Sequence, residues 1–220
     1  MDYTLKRSKR KTLCITISNG AVSVKAPLKT SVARIEEFIA EKSDWIAKKL
    51  NEQAQKSAAL APVTSGASAL YHGTVLPIVP TVCTKACING SVLYLPVKYD
   101  DQAKRDRAIA NMYKRMALAE LSDRLFRLSA ATGLKYKSFA LTNARTQWGN
   151  CDSNCNIRLN WRLIMLDDEL CNYVIIHELC HTEHHNHSAA FWAKVKSYMP
   201  NYAAAKKRLK TFSALTSLYR

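Results

Sequence analysis

Residues 177–181, HELCH, have the types and spacing of a zinc-binding helix. Side chains at positions i and i+4 of a helix share one face, so the imidazoles of His177 and His181 can bind one ion. Glu178 would project beside them, where its carboxylate can take a proton from a metal-bound water. The metal lowers the pKa of that water from about 16 to about 7. The pattern therefore predicts a metal-dependent hydrolase with Glu178 as general base.

The placement of this segment favours metal binding over a pair of structural histidines. Leu170 and Val174 precede His177 at helical spacing, so the histidines continue the apolar face of their predicted helix. Two imidazoles on a buried face lose hydration, and that loss must be compensated. A bound metal ion provides the compensation.

A third protein ligand must follow His181 in the chain. The candidates are Glu183, His184, His185 and His187. On a continuous helix His184 would lie about 10.5 Å from His177 along the axis. Three imidazoles spread over that distance converge poorly on one tetrahedral ion. The helix is therefore expected to end soon after His181.

A chain reversal before His187 gives better geometry. Asn186 can adopt a left-handed turn conformation, and Ser188 can cap the start of a new helix. The six-residue offset from His181 to His187 also separates the second and third ligands of the metzincin pattern. His187 is therefore the predicted third ligand, and Glu183 and the other two histidines remain alternatives. Three nitrogen ligands leave a fourth position for water and suit zinc best.

The elements that position these residues belong to an α+β chain. Apolar periodicity predicts helices over residues 31–50, 101–131, 168–184, 189–198 and 202–212. Alternation predicts strands over residues 12–18, 21–25, 74–83, 86–97, 137–143 and 156–160. Asn19-Gly20 and Asn89-Gly90 are typical hairpin turns. We expect a small antiparallel sheet to carry the HELCH helix beneath a cleft, with the long helix packed alongside.

Composition limits the remaining function classes. The formal charge is +16, with 33 Lys and Arg against 17 Asp and Glu, which predicts attraction to polyanions such as nucleotides or nucleic acid. A solubilising surface is the simpler interpretation. No apolar run is long enough to cross a membrane, and no apolar stretch follows the basic start of the chain. We therefore expect a cytoplasmic protein that does not bind membranes.

The seven cysteines argue against a disulfide framework, because their number is odd and the predicted compartment is reducing. Cys83 and Cys87 form one C-x3-C pair, and Cys151 and Cys155 form another. A second, structural zinc site built from these pairs is the less favoured alternative, because structural zinc usually takes a tighter spacing.

Three segments together resemble the YgjP-like metallopeptidases, relatives of the SprT-like and WLM zincins. They are RTQWGNCDSNCNIRLNWRLIM (145–165), VIIHELCHTEHHNHSAAFW (174–192) and YMPNY (198–202). The resemblance extends more loosely to RSKRKTL (7–13) and DWIAKKL (44–50). It implies a zincin-like catalytic domain over residues 99–220, preceded by a β-rich unit over 1–98.

In that family the two HELCH histidines and the histidine of the N-H-S triplet hold the metal, and the HELCH glutamate is the base. These positions correspond to His177, His181, His187 and Glu178. Gln147 and Asn150 depart from the family's usual R-W-G-S-C segment. The resemblance implies that this segment is a strand lining the cleft, so the departures concern substrate preference.

The β-rich unit is expected to contain one helix and a flexible linker near residues 53–69, where small and polar residues predominate. No second oxyanion donor is evident, and Tyr198 and His185 are the candidates for that role.

The most favoured function is a zinc metallopeptidase acting on peptides or proteins with a Glu178-activated, zinc-bound water. One alternative is a zinc-dependent nucleoside triphosphate pyrophosphatase, since the same hydroxide can attack phosphorus and the basic surface can hold phosphates. Another is a DNA-associated basic protein with SprT-like protease activity. An intact Glu178 argues against an inactive enzyme.

Overall fold

The structure, a computed structural model, describes residues 2–18 and 20–219. The chain divides into two compact units, Met1–Ala61 and Pro62–Arg220. The sequence suggested a boundary after residue 98 instead. Strands that were expected in the first unit therefore belong to the second, where they pack against its longest helix and a buried 3-10 helix.

The first unit is a small α+β structure. Its elements are β1 (Thr4–Ser8), β2 (Cys14–Ser18), β3 (Ala21–Pro27), α1 (Val32–Glu41) and α2 (Ser43–Thr64). Strand β3 is central and pairs in parallel with β1 and antiparallel with β2. Every second residue of β3 faces the core, as the period of a strand requires. The core residues are Val22, Val24, Ala26, Ile35, Ile39 and Ile46.

Two predictions for this region were wrong. The helix expected over residues 31–50 is two helices, α1 and α2, separated at Lys42. The flexible linker expected near residues 53–69 is largely helical, because α2 continues to Thr64. Alanine is the strongest helix former, so the small residues that suggested a linker instead extend the helix. Asn19 of the predicted hairpin turn lies outside the described residues.

The second unit contains the predicted catalytic residues. Its strands are β4 (Ser68–Tyr71), β5 (Thr74–Thr81), β6 (Cys87–Asn89), β7 (Val92–Pro96), β8 (Ser138–Thr142), β9 (Gly149–Cys151) and β10 (Asn156–Asn160). Its α-helices are α3 (Gln102–Thr132), α4 (Asp168–Cys180), α5 (Ala189–Tyr198) and α6 (Tyr202–Leu209). Two 3-10 helices cover Trp161–Met165 and Lys210–Ser217. The α+β fold class is therefore confirmed.

Helix α3 is the long helix predicted from the sequence, and it packs against α4 and the first 3-10 helix. All five residues of Trp161–Met165 are buried. Gly133 ends α3 in the left-handed conformation, with φ of +75°. The buried residues of α3 include Ile109, Met112, Tyr113, Leu121 and Leu125. This packing supports the helix that carries the HELCH segment.

The sheets of this unit are mixed. Strands β4, β5, β7 and β6 form one sheet in that order, and the predicted Asn89-Gly90 turn joins β6 to β7. In the other sheet β10 is central, parallel to β8 and antiparallel to β9. We expected an antiparallel sheet here, but the connection over residues 143–155, which contains β9, is long enough to return the chain so that β10 runs parallel to β8. Among the described residues, no helix is both long and apolar enough to span a membrane.

Candidate metal centre

Helix α4 positions the first part of the site. Asp167 caps its start by accepting a hydrogen bond from the backbone N–H of Leu170, and acidic residues in the first turn favour the helix dipole. His177 is half-buried and His181 is buried at the helix end. Leu170 and Val174 are buried, so the histidines continue the apolar face as the sequence predicted.

The third imidazole comes from the loop between α4 and α5. The chain reverses direction as predicted, but Asn186 is not among the described residues with positive φ. Instead, its side-chain oxygen accepts a hydrogen bond from the backbone N–H of Ser188 at 3.2 Å. Ser188 in turn caps α5 by accepting from Phe191 N–H. His187, held between these two residues, points back toward His177.

Three imidazoles converge at this place, and we call His177, His181 and His187 the histidine triad. One ring nitrogen from each lies within 4.8 Å of the others, and the triad is the one such cluster of potential metal ligands within the described residues. The Nε2 atoms of His177 and His187 are 3.0 Å apart. Two nitrogens bound to one tetrahedral zinc are about 3.3 Å apart, given bonds of about 2.0–2.1 Å. The triad therefore fits a small metal ion.

The alternative ligands have other roles. Glu183 pairs with Lys194 at 2.9 Å, and the carbonyl oxygen of His184 accepts a hydrogen bond from His181 Nδ1 at 2.8 Å. That bond places the proton on Nδ1 and leaves Nε2 of His181 free for a metal. His185 is exposed and lies outside the cluster.

Burial keeps His177 and His181 in the neutral form that binds metal. Burial lowers the pKa of His177 to about 3, with smaller effects from the other two imidazoles and from Lys206. Burial also lowers the pKa of His181. Neutral imidazole has the lone pair that a metal needs, so no proton has to leave these two rings at neutral pH.

Aromatic contacts orient the ring of His177. Its Nδ1 atom is buried and has no hydrogen-bond partner within the described residues. Phe191 and Trp192 of α5 pack against the ring, with centroid distances of 4.9 Å and 5.6 Å. Tyr173, one helical turn earlier, is 5.9 Å away.

Glu178 lies in the floor of a cleft of about 160 Å³ lined also by Tyr173, His177 and Trp148. Only 6% of Glu178 is exposed, and this burial raises the pKa of its carboxyl group to about 8. A hydrogen bond from the backbone of Cys151 acts in the opposite direction. The carboxyl group thus lines the same cleft as His177, and its pKa is raised to near neutral pH, where one group can both accept and release a proton.

Strand β9 approaches Glu178 closely at Gly149. A Cβ atom at position 149 would lie 2.9 Å from Glu178 Cγ and 3.0 Å from its Oε1. The loop before β9 is anchored by Asn160, whose side chain donates to the carbonyl of Ala144 and whose N–H donates to that of Trp148. The sequence did not single out Asn160, although a polar residue within an otherwise apolar run was the available signal.

Arg162 is a second buried polar residue that was missed. Its guanidinium donates to the side chain of Asn143 at 2.7 Å and to the carbonyl of Leu218 at 2.8 Å. Burial lowers its pKa to about 10. Asn160 and Arg162 together fix the segment that leads into β9.

Candidate residues for oxyanion binding are corrected by the structure. The hydroxyl of Tyr198 donates to the carbonyl of Thr132 at 2.9 Å, so it is engaged away from the cleft. Tyr173 instead lines the cleft, and its hydroxyl has no hydrogen-bond partner within the described part of the chain. The cysteine pairs do not join a cluster of metal ligands among the described residues.

Comparison with known proteins gives a family match over most of the chain. The family profile described as "YgjP-like, metallopeptidase domain" matches residues 11–212. No curated protein matches the chain.

Two solved structures are similar to part of the chain. The metallopeptidase zymogen abylysin of Pyrococcus abyssi is 22% identical, with a TM-score of 0.38 over 41% of this chain and 91% of that one. The zymogen jannalysin of Methanocaldococcus jannaschii is 20% identical, with a TM-score of 0.37 over 43% and 95%.

Proposed function

This chain belongs to the YgjP-like metallopeptidase family, and from that premise we propose that it is a zinc-dependent peptidase. The histidine triad holds the ion, and Glu178 is the general base. The observation that carries the proposal is the convergence of three imidazoles close to a buried carboxylate. This carboxylate, Glu178, is on α4 next to His177. Three nitrogen ligands with a place left for water are typical of catalytic zinc.

When bound, the ion supplies Lewis acidity to the scissile carbonyl and lowers the pKa of a nearby water. Glu178 accepts the proton of the attacking water and returns it to the leaving amine. A pKa near neutral pH suits both steps, because the group can take a proton from the water and then release it to the amine. Tyr173 lines the same cleft, and its hydroxyl is the proposed donor to the oxygen that becomes negative.

Strand β9 supports a peptide as substrate. It is the last strand in the sheet order β8-β10-β9, so one of its edges is unpaired among the described residues. An extended peptide can add to such an edge through backbone hydrogen bonds. Because Gly149 of β9 touches Glu178, a peptide docked there would place its backbone near the base.

The test begins with metal content and peptide hydrolysis. We expect one zinc per chain in the wild type and in Glu178→Gln, and loss of zinc in His187→Ala. Glu178→Gln should lower kcat by about 10²- to 10⁴-fold while retaining metal. Tyr173→Phe should retain metal and lower kcat by about 10²-fold.

Two results would contradict the proposal. Wild type that binds no zinc after reconstitution would remove the metal site. Zinc-loaded enzyme that cleaves nucleoside triphosphates and no peptide would replace peptidase chemistry with the phosphoanhydride alternative. Zinc retained by His187→Ala would instead redirect the search for the third ligand to Glu183 or His184.

A further inference from the structure

Lys206 is a half-buried lysine on α6 whose ammonium group forms no ion pair with any described residue. Its Nζ atom lies 3.7 Å from the centroid of the Trp192 ring. No carboxylate of the described residues lies within ion-pair distance of it. The nearby Arg208 differs, because it forms ion pairs with Asp167 and Glu169. Lys206 and Arg208, two of the three cations on α6, are therefore used differently.

Trp192 places Lys206 at the metal centre. The indole ring stacks on His187, with centroids 5.5 Å apart and planes 22° apart, and it is 5.6 Å from His177. Lys206 lies against this same ring. A protein ammonium group is therefore positioned one aromatic ring away from the histidine triad.

The same face of α6 carries a second unpartnered donor. Tyr202, one turn before Lys206, stacks on Trp192 with centroids 5.3 Å apart and planes 16° apart. Its hydroxyl makes no hydrogen bond within the described residues. Leu209, one turn after Lys206, lines the cleft together with His177 and Glu178. Leu209 thus brings the end of α6 to the cleft, and Tyr202 and Lys206 lie on the same face of this helix.

The packing of Lys206 does not explain its unpaired charge. A cation over an aromatic ring is stabilised by about 0.5–1 kcal/mol at an exposed site. This interaction accounts for the position of the Lys206 side chain over Trp192. The ammonium group has three N–H donors, and no acceptor for them is found among the described residues. A cation beside a dication is also disfavoured unless a negative charge lies near both. A bound anionic ligand would supply the negative charge that no described residue gives to Lys206.

We infer that Lys206, with the hydroxyl of Tyr202 as a second donor, binds a carboxylate of the peptide substrate beside the metal centre. The inference rests on the proposed peptidase function and names its substrate class: peptides with a negative group next to the scissile bond. That group is an acidic side chain or the free C-terminal carboxylate, which offer the same chemistry. Charge-assisted hydrogen bonds of this kind are about twice as strong as neutral ones.

Binding is measured first, because it does not require turnover. Zinc-loaded Glu178→Gln protein is titrated with a fluorescent peptide that carries one glutamate and a free C terminus. Parallel peptides replace the glutamate by glutamine, or the free terminus by an amide. We expect about tenfold weaker binding when the recognised carboxylate is removed. The peptide that shows the loss identifies the source of the carboxylate.

Lys206→Met and Lys207→Met form a matched pair in the same background. Lys207 is exposed on the same helix, so both changes remove one positive charge. Lys206→Met should abolish the preference for the negative peptide, whereas Lys207→Met should retain it. Lys206→Arg should restore much of the preference, and zinc content confirms that each variant is folded. In the active enzyme, kcat/KM should follow the same order.

Two results would overturn the inference. Equal binding of charged and neutral peptides by the parent protein would show that no carboxylate site exists. Equal losses in Lys206→Met and Lys207→Met would show only a general effect of net charge. Failure of the proposed function would look different: the preference would persist in binding while the wild type cleaved no peptide.

Discussion

At the scale of single residues, the burial of Glu178 has an effect on stability as well as on catalysis. Its carboxyl group is almost fully enclosed, and its pKa is raised from 4.5 to about 8. The folded protein therefore holds this proton more tightly than the unfolded chain does. Stability linked to this group is present below pH 4.5 and is lost as the pH rises to about 8.

This linkage gives a prediction for the metal-free protein. Between pH 5 and 8, wild type should lose stability relative to Glu178→Gln by up to a few kcal/mol, at about 1.4 kcal/mol per pKa unit. The lowered pKa of His177 acts in the opposite direction at lower pH, but both proteins share it. Urea denaturation at several pH values, with a chelator present, measures the difference. A difference that does not change with pH would contradict the buried state of Glu178.

Gly149 gives a prediction about positioning. Alanine at this place would put a methyl group 2.9 Å from Glu178 Cγ, so the carboxylate must move. We expect Gly149→Ala to lower kcat on the order of 10²-fold with zinc content unchanged, because small misplacements of catalytic groups are costly. Asn150→Ala, one residue along β9, is the control and should have a much smaller effect. Equal rates for the wild type and Gly149→Ala would show that Glu178 need not stay where it lies.

At the scale of elements, the start of α5 determines where His187 lies. Ser188 caps this helix, and Ser31 caps α1 in the same way by accepting from Arg34 N–H at 3.3 Å. The two serines make similar bonds in different surroundings. Removing each serine in turn therefore distinguishes an effect on helix stability from an effect on the position of His187.

We predict that Ser188→Ala and Ser31→Ala each lower the free energy of unfolding by about 1 kcal/mol. Only Ser188→Ala should also weaken zinc binding, because the cap follows His187 directly. Urea denaturation and competition with a zinc chelator measure the two effects. Zinc affinity that falls equally in both variants would mean that the cap acts through global stability alone.

Much of the element order was predictable because long periodic segments determine their own structure. Apolar spacing predicts the N-terminal hairpin strands, the long helix α3 and the HELCH helix. The cap at Ser188 follows from its residue type at the start of a predicted helix. The shortest strands were harder. Strand β1 has no buried residue, and β4 has only four residues, so neither has a periodic pattern to detect.

The same reasoning applies to the candidate site. The convergence of His177 and His181 beside Glu178 was predictable because helix geometry relates neighbouring positions, whereas His187 was predicted from the expected chain reversal and its spacing from His181. The roles of Gly149 and Asn160 depend on contacts between segments that are distant in the chain, which spacing does not reveal. The reversal before His187 was predicted from Asn186, but its mechanism was a side-chain hydrogen bond and not a left-handed residue.

At the scale of the whole molecule, the charge of +16 predicts an interaction that does not depend on the cleft. Binding to duplex DNA should weaken by an order of magnitude or more between about 50 and 200 mM salt, because bound phosphates release counterions. Fluorescence anisotropy with a DNA duplex measures this, and Glu178→Gln should behave like the wild type. An affinity that is flat with salt would remove nucleic acid as a partner.

If a peptide docks on β9 as proposed, the edge of this strand that is unpaired among the described residues would also determine which conformations of a target can be cut. A backbone that is already hydrogen-bonded within a helix or a closed sheet has no free N–H and C=O groups to pair with this edge. A proline at the paired position removes one N–H donor. The edge thus acts as a conformational filter, applied before any side chain is recognised. Unfolded or frayed segments would pass it and intact domains would not, so cleavage would report the folding state of a protein.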